Sequence, residues 1–599
     1  MKYVSCIIVM LALLVTGGCK KEVFLKEEPR DDIYAENLLV DRAGFEAMVT
    51  ALQGLMRQEY RRMDAIGDGS LPFAHQTIWA VGTDNAWSNN THRELRFMYY
   101  PKFIDQTDLD CFRLTFEWLY RMVNTANMVI SRAEREGIDW GGASDAERIG
   151  NKETIVAMAR FFRAWAYRHI TYSFGDAPLS LEEIDGTNYR TDWERNPVAE
   201  IRMAMENDLR FAVEKLPLRA ATNSMVSGAL ARHYLGELYL AMDRPDDARQ
   251  VLRPLVEGSE YRLMTERFGS NAQQEGNAFI DVFRSPLFSE GNMEVLYAFL
   301  NTEPEVASYG TATIYIKSSW KNYYSNDGVI RNSNQEAPNY VSGGVTWPQQ
   351  FWLANGGKGA GRAVPSLGAI RLYNYKGQGE VDDRVSDASM VWKIYEENAA
   401  GQRVEFLNDG QSIIDTTLTD AMLDDNRTTI QNYKWPTTRK WDYDQTIAAR
   451  GDADQSYNNT VYLRLAETYL LYAEALYKLG DAGNAVDWIN RVRERAHAVA
   501  ISAADLQVGG LDLILDERSR ELLSEEERRH TLIRVSQENG GDERDVNNYF
   551  KRRVRELNEI CGRPARGMND YDTPVLFPLP QEFVDSNTDR QLQQNPGYH

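Results

Sequence analysis

The chain has 599 residues, 43% hydrophobic and 26% charged, with 88 Asp and Glu against 67 Lys and Arg and a formal net charge of −21. That composition is globular and excludes a disordered chain. Its acidity excludes a surface built for nucleic acid, whose phosphates need clustered Lys and Arg.

The first predicted element is a signal peptide over residues 1–18. Lys2 supplies the positive charge, Val4 to Val15 form an apolar run broken only by Ser5, and the small residues Thr16, Gly17 and Gly18 follow. An apolar stretch of about 7–15 residues before small residues is a secretory signal and is too short to span a bilayer. Cys19 comes next and resembles a lipobox cysteine, although Thr16 stands where Leu is usual. Cys19 is therefore the expected lipid anchor, and residues 19–40 the expected tether and start of the fold. Beyond Cys6 and Cys19 only Cys111 and Cys561 remain. That is no disulfide scaffold, and whether the two pair is open.

Residues 41–266 read as helical. Ala43, Phe45, Met48, Val49, Leu52 and Leu55 recur at three and four residues, as do Trp118, Leu119, Met122, Val123 and Ala126. Two segments follow tetratricopeptide spacing, with a small residue, a large one three later and Ala twelve after the first: Gly236, Tyr239, Ala248 and then Ala473, Leu476, Ala485. Small residues at such places let paired helices approach closely. Between them, residues 267–458 are dense in Gly, Asn, Asp, Tyr and Trp and read as a loop-rich insertion with a few short strands. Residues 459–599 return to helix and end in a Pro-rich tail. The expected fold is mostly α, with tetratricopeptide-like hairpins around a long insertion, in one domain overall.

Several blocks in this order resemble the SusD/RagB family. They are Arg163-Ala-Trp-Ala-Tyr167 with Phe174-Gly-Asp-Ala-Pro178, Thr437-Thr-Arg-Lys-Trp441, and the run from Thr460 to Ala475 followed by Ala485 to Ala496. Leu515-Asp-Glu-Arg-Ser-Arg-Glu-Leu-Leu523 with Glu527-Arg-Arg-His530 and Leu532-Ile-Arg534, then Leu576-Phe-Pro-Leu-Pro-Gln581 and Gln594-Asn-Pro-Gly-Tyr598, complete the set. The resemblance implies a lipid-anchored protein of the outer membrane facing the cell surface. It implies capture of oligosaccharide, with delivery to a SusC-like TonB-dependent transporter and no catalysis. A peptide-binding member and a protein-binding helical scaffold stay open as alternatives, with a surface glycoside hydrolase further off.

Glu517 and Glu521 share a helix face, but Arg518 and Arg520 lie within a turn, which reads as an ion-pair network rather than a glycosidase pair. The seven His form no metal spacing, GxSxG is missing, and Gly356 to Gly361 lack the GxxxxGK[ST] pattern. No catalytic residue, metal site or cofactor is expected. A structural Ca²⁺ stays open, because Asn408, Asp409 and Gln411 offer oxygens outside an EF-hand layout.

A sugar site needs aromatic rings for the apolar pyranose face and fixed polar partners for its hydroxyls. Loop aromatics among polar residues are the natural candidates. They are Trp79, Trp87 and Asn89 in one segment, and Trp320, Tyr323, Tyr324, Trp347 and Trp352 in the other. Relatives also often carry ligand contacts in the loop after the residue matching Asp84. Trp118, Trp165 and Trp488 lie on helical stripes and are expected in the core. On this reading Trp87→Ala or Trp320→Ala weakens binding by roughly 1–3 kcal/mol and barely changes stability.

Overall fold

In the computed structural model the described residues are 35–64, 70–88, 94–95, 107, 109–301, 317, 319–321, 355–357, 359, 361–373, 375, 381–393, 395–397, 402–405, 436–442, 458–538, 545, 547–560, 563–564 and 574–598. The signal peptide, Cys19 and Cys561 lie outside them.

Helix α1 (Arg42–Arg57) starts at Asp41, whose carboxylate accepts from the Gly44 amide at 2.9 Å. Its stripe of Phe45, Val49, Leu52 and Met56 is buried, as the three-and-four spacing predicts. The short helix α2 (His75–Ala80) precedes the strand β1 (Ala86–Trp87). Then comes a helical array: α3 (Asp110–Arg132), α4 (Asp145–Phe174), α5 (Val198–Lys215), α6 (Gly228–Ala241) and α7 (Pro245–Val256), each packed on the next. Ser144 and Ser227 cap α4 and α6 by accepting from the Glu147 and Leu230 amides, supplying acceptors that a helix start otherwise lacks.

After α8 (Ala278–Arg284), the strand β2 (Val295–Phe299) leads into the insertion, where β3 (Val364–Pro365) and the short helix α9 (Leu367–Arg371) are described. The chain returns as β4 (Thr460–Arg464), which runs antiparallel to β2 with Thr460 opposite Phe299 and Arg464 opposite Val295. This ladder ties the two ends of the insertion together. Among the described residues, every sheet is a two-stranded antiparallel ladder. The array then resumes with α10 (Leu465–Lys478), α11 (Ala482–Arg495) and α12 (Ala503–Leu522), followed by α13 (Arg528–Glu538) and α14 (Tyr549–Leu557).

The two hairpins with tetratricopeptide spacing become neighbours despite their separation. Helix α7 packs directly on α10, so the second hairpin stacks on the first as if residues 257–464 were absent. Gly236 explains the close approach inside the first hairpin, because a Cβ there would lie 2.5 Å from Leu252 Cγ. The expected mostly helical architecture is therefore what the structure has.

One apolar core runs from α1 through the array to Phe577 and Tyr598 in the tail. The tail closes on the end of α4: the Phe577 amide donates to Ser173 O at 2.7 Å, and Asn595 Nδ2 donates to Phe174 O at 2.9 Å and Phe577 O at 2.7 Å. Trp118, Trp165 and Trp488 are buried, as their stripes predict. Cys111 is a free buried thiol. Among the described residues no helix is long and apolar enough to cross a membrane, and no group of three or more His, Cys, Asp or Glu is placed to hold a metal ion.

Candidate functional site

The conspicuous carboxylates of α12 are spent on structure. Glu521 binds Arg495, Arg464 at 2.8 Å and Arg384 at 3.2 Å; Glu517 binds Arg493 at 2.6 Å and Arg384 and Arg520 at 2.7 Å. Glu294 closes the circuit onto Arg464 at 2.7 Å and Arg495 at 3.0 Å. Burial alone would raise the Glu517 carboxyl, but Arg384, Arg493 and Arg520 outweigh it and hold it down to about 2. Groups held ionised this firmly are poor general acids. The network joins α11, α12 and β4 to the insertion through Arg384, so it fixes the platform from which the loops leave.

Three of the aromatics expected at a ligand are buried in the fold. Trp79 stacks on His169 with ring centroids 4.4 Å apart, and its Nε1 donates to Ser173 Oγ at 3.0 Å. Trp87 is fully buried where β1 pairs with Val364 of β3. Trp320 is 1% exposed, and its Nε1 donates to Gln76 Oε1 at 3.3 Å. None of the three offers a ring face to a sugar, so in this structure they are packing residues. The reason is that their polar neighbours are buried too. Asp84, two residues before β1, is fully buried and bound by Arg528 at 2.7 and 2.8 Å and by Arg553 at 3.1 Å. Burial pushes the Asp84 carboxyl up, but the two guanidiniums outweigh it and bring it below the usual range. Local polarity here marks an internal ion pair, not solvent. Asn89, Tyr323, Tyr324, Trp347 and Trp352 lie outside the described residues.

The two segments nonetheless meet at their bases. The Arg362 and Ala363 amides both donate to Ser319 O at 2.9 Å, and Gly361 N donates to Lys321 O at 2.8 Å. Two residues on, β3 pairs with Ala86 and Trp87, while Ser366 N donates to Asn85 O at 2.7 Å and Ser366 Oγ to Asp84 O at 2.6 Å. Residues 361–366 are thus a common anchor from which the chain after Trp87 and the chain after Lys321 both depart.

The structure also has an aromatic and polar cleft that the sequence reading missed. About 920 Å³ in volume, it opens where α7 meets α10 and α11 and is lined by Tyr261, Tyr469, Tyr472 and Trp488. The Arg491 guanidinium lies 3.9 Å from the Trp488 ring centroid, and Tyr472 Oη donates to Glu257 Oε1 at 3.0 Å. Its signal was present in the three-residue spacing of Tyr469 and Tyr472, but a helical stripe of aromatics reads first as core. The four rings are in fact mostly buried, so they form the floor of this cleft rather than a stacking wall.

The model of the SusD family matches residues 301–598. With SusD-like relatives beside it, that match supports a SusD/RagB-family protein. Among curated SusD-family relatives, SusD-like protein P2 of Formosa agariphila is 24% identical over 499 residues, covering 80% of this chain and 79% of its own. Two solved structures have a similar fold. A SusD homolog from Bacteroides thetaiotaomicron aligns with TM-score 0.62 at 17% identity, over 95% of this chain and 99% of that one. A laminarin-binding SusD-like protein aligns with TM-score 0.59 at 18% identity, over 92% and 99%. The SusD-family blocks recognised in the sequence are largely the buried ones: Arg464, Glu517, Glu521, Arg534 and Asn595 all hold the fold together.

Proposed function

We propose that this protein captures oligosaccharide at the cell surface and passes it to a SusC-like TonB-dependent outer-membrane transporter, without making or breaking a bond. The observation that carries the reading is the shared anchor at residues 361–366 in a chain of the SusD family. It ties Ala86 and Trp87 to Ser319 and Lys321; the sequence runs on from these to Asn89 and to Tyr323, Tyr324, Trp347 and Trp352, residue types that suit the stacking and hydroxyl pairing a sugar requires. A relative of the same fold is named for laminarin binding, which favours a glycan over a peptide. The central carboxylates are bound to arginine, which leaves them no part in hydrolysis. Cys19 supplies the membrane attachment, and no cofactor is needed for capture and release.

Two experiments address location and partnership. Replacing Cys19 with Ala should release the protein from the membrane fraction, and a Cys19→Ala protein that stays in the membrane would contradict lipid anchoring. Mild detergent extraction and pull-down of the wild-type protein should recover a large β-barrel transporter; repeated recovery of the protein alone would argue against the delivery step.

A further inference from the structure

Several cations among the described residues lack a close carboxylate, Arg57 and Lys317 among them, and three arginines with loose or no pairing line one cleft. This cleft of about 950 Å³ opens between α5, α6 and α7 and is lined by Arg160, Arg210 and Arg232. Many buried guanidiniums of this protein are held by carboxylates within 3.3 Å, as Arg384, Arg464 and Arg528 show. Half-buried Arg232 has no hydrogen-bond acceptor or carboxylate among the described residues, and burial alone pulls its guanidinium below the usual range. Arg160 Nε is buried without an acceptor. The nearest carboxylate to Arg160, Asp208, stands 3.9 Å away because Arg163 already occupies both its oxygens at 2.7 Å. Arg210 reaches only to 3.8 Å from Glu206, whose other oxygen is taken by Arg244 at 2.9 Å.

The acids that line the cleft do not offset these cations. Glu214 is paired with Lys215 at 3.0 Å and Asp247 with Arg244 at 2.6 Å. Arg210 is exposed and Arg160 stacks on Phe211 at 4.4 Å. Among the described residues, however, none of the three has a carboxylate closer than 3.8 Å, and a partly desolvated guanidinium without a close acceptor is a favourable place for an anion. We propose that this cleft is a second ligand site, and that it takes an anionic saccharide whose carboxylate or sulfate is clasped by Arg160, Arg210 and Arg232. The fork of N–H donors on arginine suits both anions. The volume is near the top of the range for organic ligands, about 300–1,000 Å³, and far exceeds what an inorganic ion fills. Asn207 on α5 and the Gln250 amide oxygen on α7 also line the cleft and can serve hydroxyls. Anion recognition follows from the cleft itself; the choice of a saccharide rests on the proposed function.

The test is titration calorimetry on residues 20–599, with oligogalacturonate and sulfated dextran oligomers as probes and neutral gluco-oligosaccharides and unsulfated dextran as matched controls. At least one anionic saccharide should bind tenfold or more tighter than its neutral counterpart. Arg232→Gln and Arg160→Gln should each lose tenfold or more of that affinity, while Arg113→Gln on α3 should not. Arg232→Gln should melt at or above the wild-type Tm, because it removes an unpaired desolvated charge, and that separates lost binding from lost folding. Equal binding of anionic and neutral sugars, undiminished binding by Arg232→Gln, or equal competition by inorganic sulfate or a poly-glutamate peptide would each overturn the proposal. Neutral glycans bound equally by wild type and Arg232→Gln would leave the proposed function standing while this site falls.

Discussion

Trp87 shows how a residue's neighbours can mislead. Thr83, Asp84, Asn85 and Ser88 surround it with polar groups that suggest a wet loop, yet all four are buried. A sequence carries the polarity of Asp84 but not the two arginines that arrive from Arg528 and Arg553, far along the chain, to neutralise it. Helical tryptophans were easier to place, because periodicity alone puts Trp118 and Trp165 inward. The consequence is testable: Trp87→Ala and Trp165→Ala should both destabilise the protein, each by roughly 3–5 kcal/mol as large-to-small core changes. Trp165 also loses the bond from its Nε1 to Tyr462 Oη at 3.0 Å. Denaturant unfolding measures both, and a Trp87→Ala protein as stable as wild type would mean that ring is not core.

The ionic residues make a second prediction. Glu517 is held at about 2 against an ordinary 4.5, and Glu521 also falls below its ordinary value, because Arg495, Arg464 and Arg384 outweigh the opposing effect of burial. Their contribution to stability is complete above pH 4.5 and is lost as the pH falls toward 2. Burial brings His75 down to about 3. Below pH 6.5 an unfolded chain takes up a proton that folded His75 refuses, so this group acts in the same sense. Glu467, pushed up to about 7 chiefly by burial, is protonated in both states below pH 4.5 and offsets nothing there. Tm should therefore drop steeply between pH 4.5 and 2, and a flat profile across that window would contradict the network.

At the scale of elements, the helices and both hairpins were legible because their spacing is local. Their stacking was not, because the contact of α7 with α10 spans the whole insertion. The ladder of β2 with β4 that makes it possible is a non-local pairing with no periodic signature of its own. Gly236 tests the hairpin geometry. Gly236→Val should clash with Leu252 and cost about 1–3 kcal/mol as an overpacked contact. Adding Leu252→Ala should make the combined loss smaller than the sum of the two single losses, since the residues touch. Strict additivity in thermal or denaturant melts would show that the two helices do not meet there. The SusD-family blocks were legible for a related reason. Arg464, Glu521 and Asn595 each satisfy a buried partner, so they identify the fold and say little about the ligand.

For the whole molecule, the architecture follows from a helical array whose two parts are tied by the β2–β4 ladder and in which residues 361–366 bind both Ala86 and Trp87 and also Ser319 and Lys321. The family's fold and the reading as a binding protein were accessible from the sequence. The identity of the ligand-facing side chains was not, because stacking rings and core rings share the same chemistry and differ only in what covers them. The proposed capture of a glycan without turnover is tested most directly by incubating pure residues 20–599 with a panel of oligosaccharides, measuring binding by calorimetry and following each bound sugar by mass spectrometry. The expected result is saturable binding of at least one oligosaccharide, recovered with its mass unchanged after prolonged incubation; no binding across the panel, or any cleaved product, would contradict it.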